Sequence, residues 1–153
     1  MNTPLTVKAK SSMCGHSRGL TVAWQWVAKA ENDLRSAAHL LKVGDCPTDN
    51  VCFHAQQCVG KFLKALLVAQ GIEFRKIHDV GELVILLPPR LRPAINGMEQ
   101  DRLTEYATVT RYPGDYEPIS LAEARQAVKI ARRVRREVRR LLKERPPFSK
   151  EST

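Results

Sequence analysis

No apolar run in the sequence is long enough to cross a bilayer. The longest stretch of large apolar residues, Leu83-Val84-Ile85-Leu86-Leu87, ends at Pro88-Pro89, far short of the roughly 20 residues a spanning helix needs. No apolar segment follows Lys8, Lys10 and Arg18 near the N-terminus. A secretory signal is therefore not expected, and a cytoplasmic location without a membrane partner is. The cysteines are few: Cys14, Cys46, Cys52 and Cys58. They lack the density of a disulfide-stapled mini-domain, and neither Cys14-x-His16 nor Cys52-x5-Cys58 has the spacing of a zinc pair. Free thiols in or near a core are expected, with no metal and no cofactor. Aromatic residues make up 6% of the chain, and the basic C-terminal segment has none before Phe148, which excludes a base-stacking platform there. A glycine-rich phosphate loop, a zinc-protease helix and a nucleophile elbow are also missing. No segment alternates with a strand period, and there are no internal repeats.

What is present fits one helical domain. The chain has 153 residues, 43% of them hydrophobic, enough for a single core. Apolar positions recur at helical spacing in four long segments and one short one. The first, Thr21 to Val43, carries Val27, Ala30, Leu34, Ala37 and Leu41, with Gly44 as its stop. The second, Asn50 to Gln70, carries Ala55, Val59, Phe62, Leu63 and Leu66 and ends at Gly71. The short helix opens on the capping box Asp79-x-x-Glu82, with Leu83, Leu86 and Leu87 as its expected buried side. Pro93 suits the first turn of the next helix, whose stripe is Ile95, Met98, Leu103, Tyr106 and Val109. After the break Arg111 to Pro118, Ser120-x-x-Glu123 opens the last helix, with Leu121, Ala124, Val128, Ala131, Val134, Val138 and Leu141 apolar. Short connections predict an all-α, antiparallel up-and-down bundle over residues 21–145. Residues 1–20 are expected to be a loose arm, with Met13 a candidate start, and 146–153 a short tail.

The ordered motifs resemble those of a known family. Cys52-Phe53-His54-Ala55-Gln56-Gln57 with Lys61-x-x-Lys64-Ala65-Leu66-Leu67 is similar to the second-helix signature of the HEPN domain family. Gly71 to Phe74 with His78-Asp79-Val80, Tyr106 with Arg111-Tyr112-Pro113, and Trp26-x6-Asp33-Leu34 with Ala37 and Leu40-Leu41 resemble its other segments. The resemblance implies a dimerising bundle, often paired with a minimal nucleotidyltransferase in a two-component, toxin–antitoxin type module. Some relatives are metal-independent ribonucleases that use Arg-x4–6-His. This sequence departs from that pattern: Tyr116, Glu117 and Pro118 stand where the histidine belongs, and the last histidine of the chain is His78. Gly60 is a second departure, where relatives often carry an acidic residue.

Three candidate sites follow. His54, Gln57 and Lys61 fall on one face of the second helix. They could grip a nucleotide together with Arg111, or form an interhelical hydrogen-bond network. Arg111 and Tyr116 are the weak catalytic candidates. Arginine stays protonated and is a poor base, and a tyrosine phenol holds its proton at neutral pH in water, so enzymatic activity is not expected. The net charge is +9, and ten Lys or Arg against Glu123, Glu137 and Glu144 place +7 of it between Ser120 and Arg145. Arg125, Lys129, Arg132, Arg136 and Arg139 lie near one helix face there. They suit nucleic-acid phosphates, or simply a solvated surface. The expected function is a nucleotide- or RNA-binding subunit, homodimeric, acting beside a minimal nucleotidyltransferase. The alternatives are a ribonuclease toxin with a degenerate site, or a structural interaction protein.

Overall fold

The computed structural model describes residues 4–108, 112–114 and 116–144, with side chains for 18–108, 112–114 and 116–143. Among them are five α-helices and no strand: α1 Pro4–Leu40, α2 Thr48–Ala69, α3 Val80–Leu86, α4 Gly97–Thr108 and α5 Leu121–Glu144. Cross-helix contacts fix their directions. Trp26 of α1 meets Lys64 of α2, and Asp33 meets Lys61 and His54, so α1 and α2 run antiparallel. Glu99 of α4 meets Arg133 of α5, and Arg102 meets Glu123, so those two are antiparallel as well. Trp24 meets Arg139 and Glu31 meets Arg135, which sets α5 against α1. The four long helices therefore go up, down, up and down, with α3 in the connection between α2 and α4.

The second helix is the axis of the fold and touches each of the other four. Its buried positions almost encircle it, as expected of a helix surrounded by neighbours: Val51, Cys52, Ala55, Cys58, Val59, Phe62, Leu63 and Leu66 are all sealed from solvent. Gly71 takes φ 68 and ends the helix. Ile72 N–H donates to Leu67 O at 2.9 Å and Gly71 N–H to Val68 O at 3.0 Å, the paired bonds of a Schellman stop.

Several boundaries differ from the sequence reading. α1 begins at Pro4, so the stretch expected to be a loose arm has helical backbone from there. Proline fits a first helical turn. No further proline follows before Pro47, and Gly15 and Gly19 weaken a helix without breaking it. After α1 the left-handed residue is Asp45, at φ 58, not Gly44. Aspartate tolerates that region better than most residues. α4 starts at Gly97, not near Pro93, because Asn96 and Glu99 close a reciprocal box. In it Glu99 N–H donates to Asn96 Oδ1 at 2.8 Å, and Asn96 N–H to Glu99 Oε1 at 3.0 Å. That start turns Met98 outward, 84% exposed. Leu86 and Leu121, expected inside, lie at helix ends and are exposed; Val109 and the tail lie outside the described residues. The caps at Asp79 and Ser120 form as expected, receiving the Glu82 and Glu123 N–H groups.

Candidate nucleic-acid interface

The polar face of α2 is occupied from within. Asp33, on α1, lies between two of the three expected ligand residues: its Oδ1 is 2.9 Å from His54 Nδ1, and its Oδ2 accepts from Lys61 Nζ at 2.5 Å. A carboxylate only accepts, so Nδ1 carries the proton of this bond. Gln57 donates to Gln56 Oε1 at 2.8 Å, and the buried Gln56 amide donates to His78 O at 2.8 Å. The structure thus joins His54 and Lys61 through one carboxylate and directs Gln57 elsewhere. The arrangement sets the register of α1 against α2.

The basic face of α5 is different. Arg125, Lys129, Arg132 and Arg136 are exposed, and none has a carboxylate partner among the described residues. They recur at steps of four, three and four residues, which keeps them on one stripe. Beside that stripe α1 and α5 leave an open groove of about 430 Å³, lined by Glu31, Leu34, Arg35, Ala38, Lys129, Arg132, Arg135 and Arg136. Five cations face one carboxylate there. That carboxylate, Glu31, accepts from Arg135 Nε at 2.7 Å and Arg139 Nη1 at 3.1 Å. Arg139 also stacks over the Trp24 ring at 5.4 Å. Arg139 therefore belongs to the α1–α5 seam, while the other four expected contacts stay available to an anion. Exposed cations with no carboxylate partner among the described residues, beside a groove, suit phosphate oxygens.

The remaining candidates are apart from this groove. Arg111 lies outside the described residues. Tyr116 is half-buried in the connection to α5, its N–H donating to Gly114 O at 3.1 Å. No group of three or more His, Cys, Asp or Glu side chains among the described residues could hold a metal, and no helix there is long and apolar enough to cross a membrane.

The chain matches the family described as "HEPN domain" over residues 23–141. It belongs to the HEPN family. A protein of Methanocaldococcus jannaschii named "Putative toxin MJ1304" is 32% identical over 142 aligned residues, covering 78% of this chain and 87% of that protein. No solved structure gives a significant match. All the groove residues of this HEPN domain fall inside the matched span.

Sequence reasoning missed Asp33 and Glu31 as the anions that organise the two faces, and Arg35 as the α1 contribution to the groove. Asp33 was legible only as part of the HEPN first-helix pattern. Glu31 and Arg35 are four residues apart, a spacing that suggests a pair within α1. In the HEPN bundle Glu31 instead turns to α5, and only the packing of the two helices reveals that.

Proposed function

We propose that the protein is the RNA-engaging subunit of a HEPN module of toxin–antitoxin type, that it binds phosphates along the α1–α5 groove, and that a minimal nucleotidyltransferase is its protein partner. One observation carries the RNA part: Arg125, Lys129, Arg132 and Arg136 are exposed, aligned and unneutralised beside a groove to which α1 adds Arg35. The toxin-module part is supported by the name of the archaeal relative, and the nucleotidyltransferase by the family resemblance. The groove lining contains no histidine, and its one carboxylate already holds two arginines. The site therefore suits holding RNA without cutting it.

Anisotropy titrations with labelled RNA test this. With about four to six phosphate contacts, the binding constant should fall by roughly two to three orders of magnitude between about 50 and 200 mM salt. Arg132→Glu with Arg136→Glu should weaken binding and flatten the slope. Glu31→Gln should strengthen binding and steepen the slope, because it releases Arg135 and Arg139. The RNA should stay intact throughout. Absence of binding at low salt, or a slope indifferent to all three substitutions, would remove the RNA reading.

A further inference from the structure

The cationic stripe of α5 has a counterpart on α1. Glu31, Arg35, Ala38 and Lys42 follow one another at steps of four, three and four residues, the same stepping as Arg125, Lys129, Arg132 and Arg136, so they too share one side of their helix. The first three line the groove. α1 ends at Leu40, yet the chain keeps winding past it: Leu41 N–H donates to Ala37 O and Lys42 N–H to His39 O, each at 3.1 Å. Lys42 therefore stands one turn beyond Ala38 on the groove side. Arg35 and Lys42 are exposed, and neither has a carboxylate partner among the described residues. Glu31 meets Arg135 and the two helices run antiparallel, so Arg35 comes opposite Lys129 and Arg132, and Lys42 lies farther along, towards Arg125.

The groove thus has two cationic edges, and its lining has no ring for a base to stack on. Its apolar lining is Leu34 and Ala38, with no aromatic side chain among the described residues, and the nearby Trp24 ring is already covered by Arg139. A single strand held here would gain phosphate contacts and forgo the base stacking on which single-strand binding relies. In a double helix the bases are already stacked and paired, and phosphate and sugar face the protein. Pairing two strands also doubles the phosphates per length of axis, to about one per 1.7 Å in B-form DNA. The α5 stripe from Arg125 to Arg136 rises about 16 Å, enough to follow several phosphates of one strand. Packed helices lie about 8–10 Å apart, so the α1 edge can meet a second phosphate row. Double-stranded RNA is recognised in this manner, by its shape and by phosphate and 2′-hydroxyl contacts across a shallow minor groove.

We propose that the α1–α5 groove takes base-paired RNA, with Arg125, Lys129, Arg132 and Arg136 along one strand and Arg35 and Lys42 on the other. This rests on the RNA reading above and narrows it to one class of RNA. Glu31, between the two edges, holds Arg135 and Arg139 back from the phosphates. Recognition through phosphates makes binding indifferent to base sequence.

Anisotropy titrations compare a labelled RNA duplex of about 16 base pairs with one of its strands alone, chosen to have no self-pairing. The duplex should bind roughly tenfold more tightly than the strand at equal salt, and a duplex of scrambled sequence should bind equally well. Arg35→Ala with Lys42→Ala should weaken duplex binding roughly tenfold, flatten its salt slope by about two contacts, and leave the single strand nearly unchanged. Arg75→Ala with Lys76→Ala removes the same charge from the α2–α3 connection and should alter neither. All four of these side chains are exposed, and circular dichroism checks that both variants fold. Binding of neither form at low salt would remove the RNA reading and this proposal together. A strand bound as tightly as the duplex, an α1 pair that weakens both forms alike or neither, or an Arg75 and Lys76 pair with the effect of the α1 pair would overturn the proposal and leave the RNA reading standing.

Discussion

Single carboxylates decide much of this bundle. Asp33, with 13% of its side chain exposed, receives both His54 and Lys61. Asp33→Asn would leave the Lys61 ammonium facing Lys29 and Lys64 without its counter-charge. We expect a loss of roughly 2 kcal/mol in urea denaturation, the scale for removing one partner of a partly buried charged bond. Lys61→Met should restore part of that loss, because it removes the stranded charge as well. A pair of substitutions that simply adds would show that the two groups are not coupled. The thiols give a second prediction at this scale. Desolvation pushes the Cys52 thiol up to about 12 and lifts Cys58 further in the same direction. Since the thiolate is the reactive form, both should resist iodoacetamide at mildly alkaline pH. Cys46, partly exposed, should be alkylated. Mass spectrometry before and after urea checks this: labelling of Cys52 or Cys58 in the native protein would contradict the burial described.

The helices end by different chemistries, and the differences are measurable. Gly71 holds φ 68 in the Schellman stop of α2, a conformation that strains any residue with a Cβ. Gly44 has no such φ, and a Cβ placed there would meet nothing within 4 Å. Gly71→Ala should therefore cost about 1 kcal/mol, while Gly44→Ala should be neutral or slightly stabilising. Thermal melts of the two variants compare them directly, and equal effects would mean that the α2 stop is not the constrained one. The last helix combines a packing face with a charged one. Ala124, Val128, Ala131, Val134 and Val138 are fully buried, Arg125, Lys129, Arg132 and Arg136 between them are exposed, and Arg133 and Arg135 turn to Glu99 and Glu31. Charge reversal on the outer face should leave helicity intact.

For the whole molecule, the question is what lies against its exposed apolar side chains. Trp24, Trp26 and Phe53 are the partly buried aromatic residues of α1 and α2. The fold half-covers them with Arg139, Lys64 and His54. The most exposed large apolar residues among the described ones are instead Met98 at 84% and Ile85 at 71%. Single exposed residues of this size are common on monomers, so the dimer rests on their being covered by a second copy. Light scattering should give twice the chain mass, and Met98→Glu with Ile85→Glu should shift it towards one. A monomer in the unsubstituted protein at micromolar concentration would end the dimer reading.

The sequence by itself determined the helices. Periodic apolar residues such as Val27, Ala30 and Ala37, or Ala55, Val59 and Phe62, encode burial locally, and so do caps like Asp79 and stops like Gly71. The all-helical class, the up-and-down order and the HEPN resemblance were legible for that reason. Even the α4 start was written in Asn96-x-x-Glu99, a signal overlooked in favour of Pro93. The tertiary structure decided which polar groups are engaged and which are available. His54, Lys61 and Arg139 have the same composition and spacing as available ligand residues, yet each is held by an acid from α1. Arg132, Arg136 and Lys64 have no such partner among the described residues. Helical periodicity reports which way a side chain points along its own helix. Whether a charge is neutralised depends on what another helix places a few ångströms away, and that distance exists only once the helices have packed.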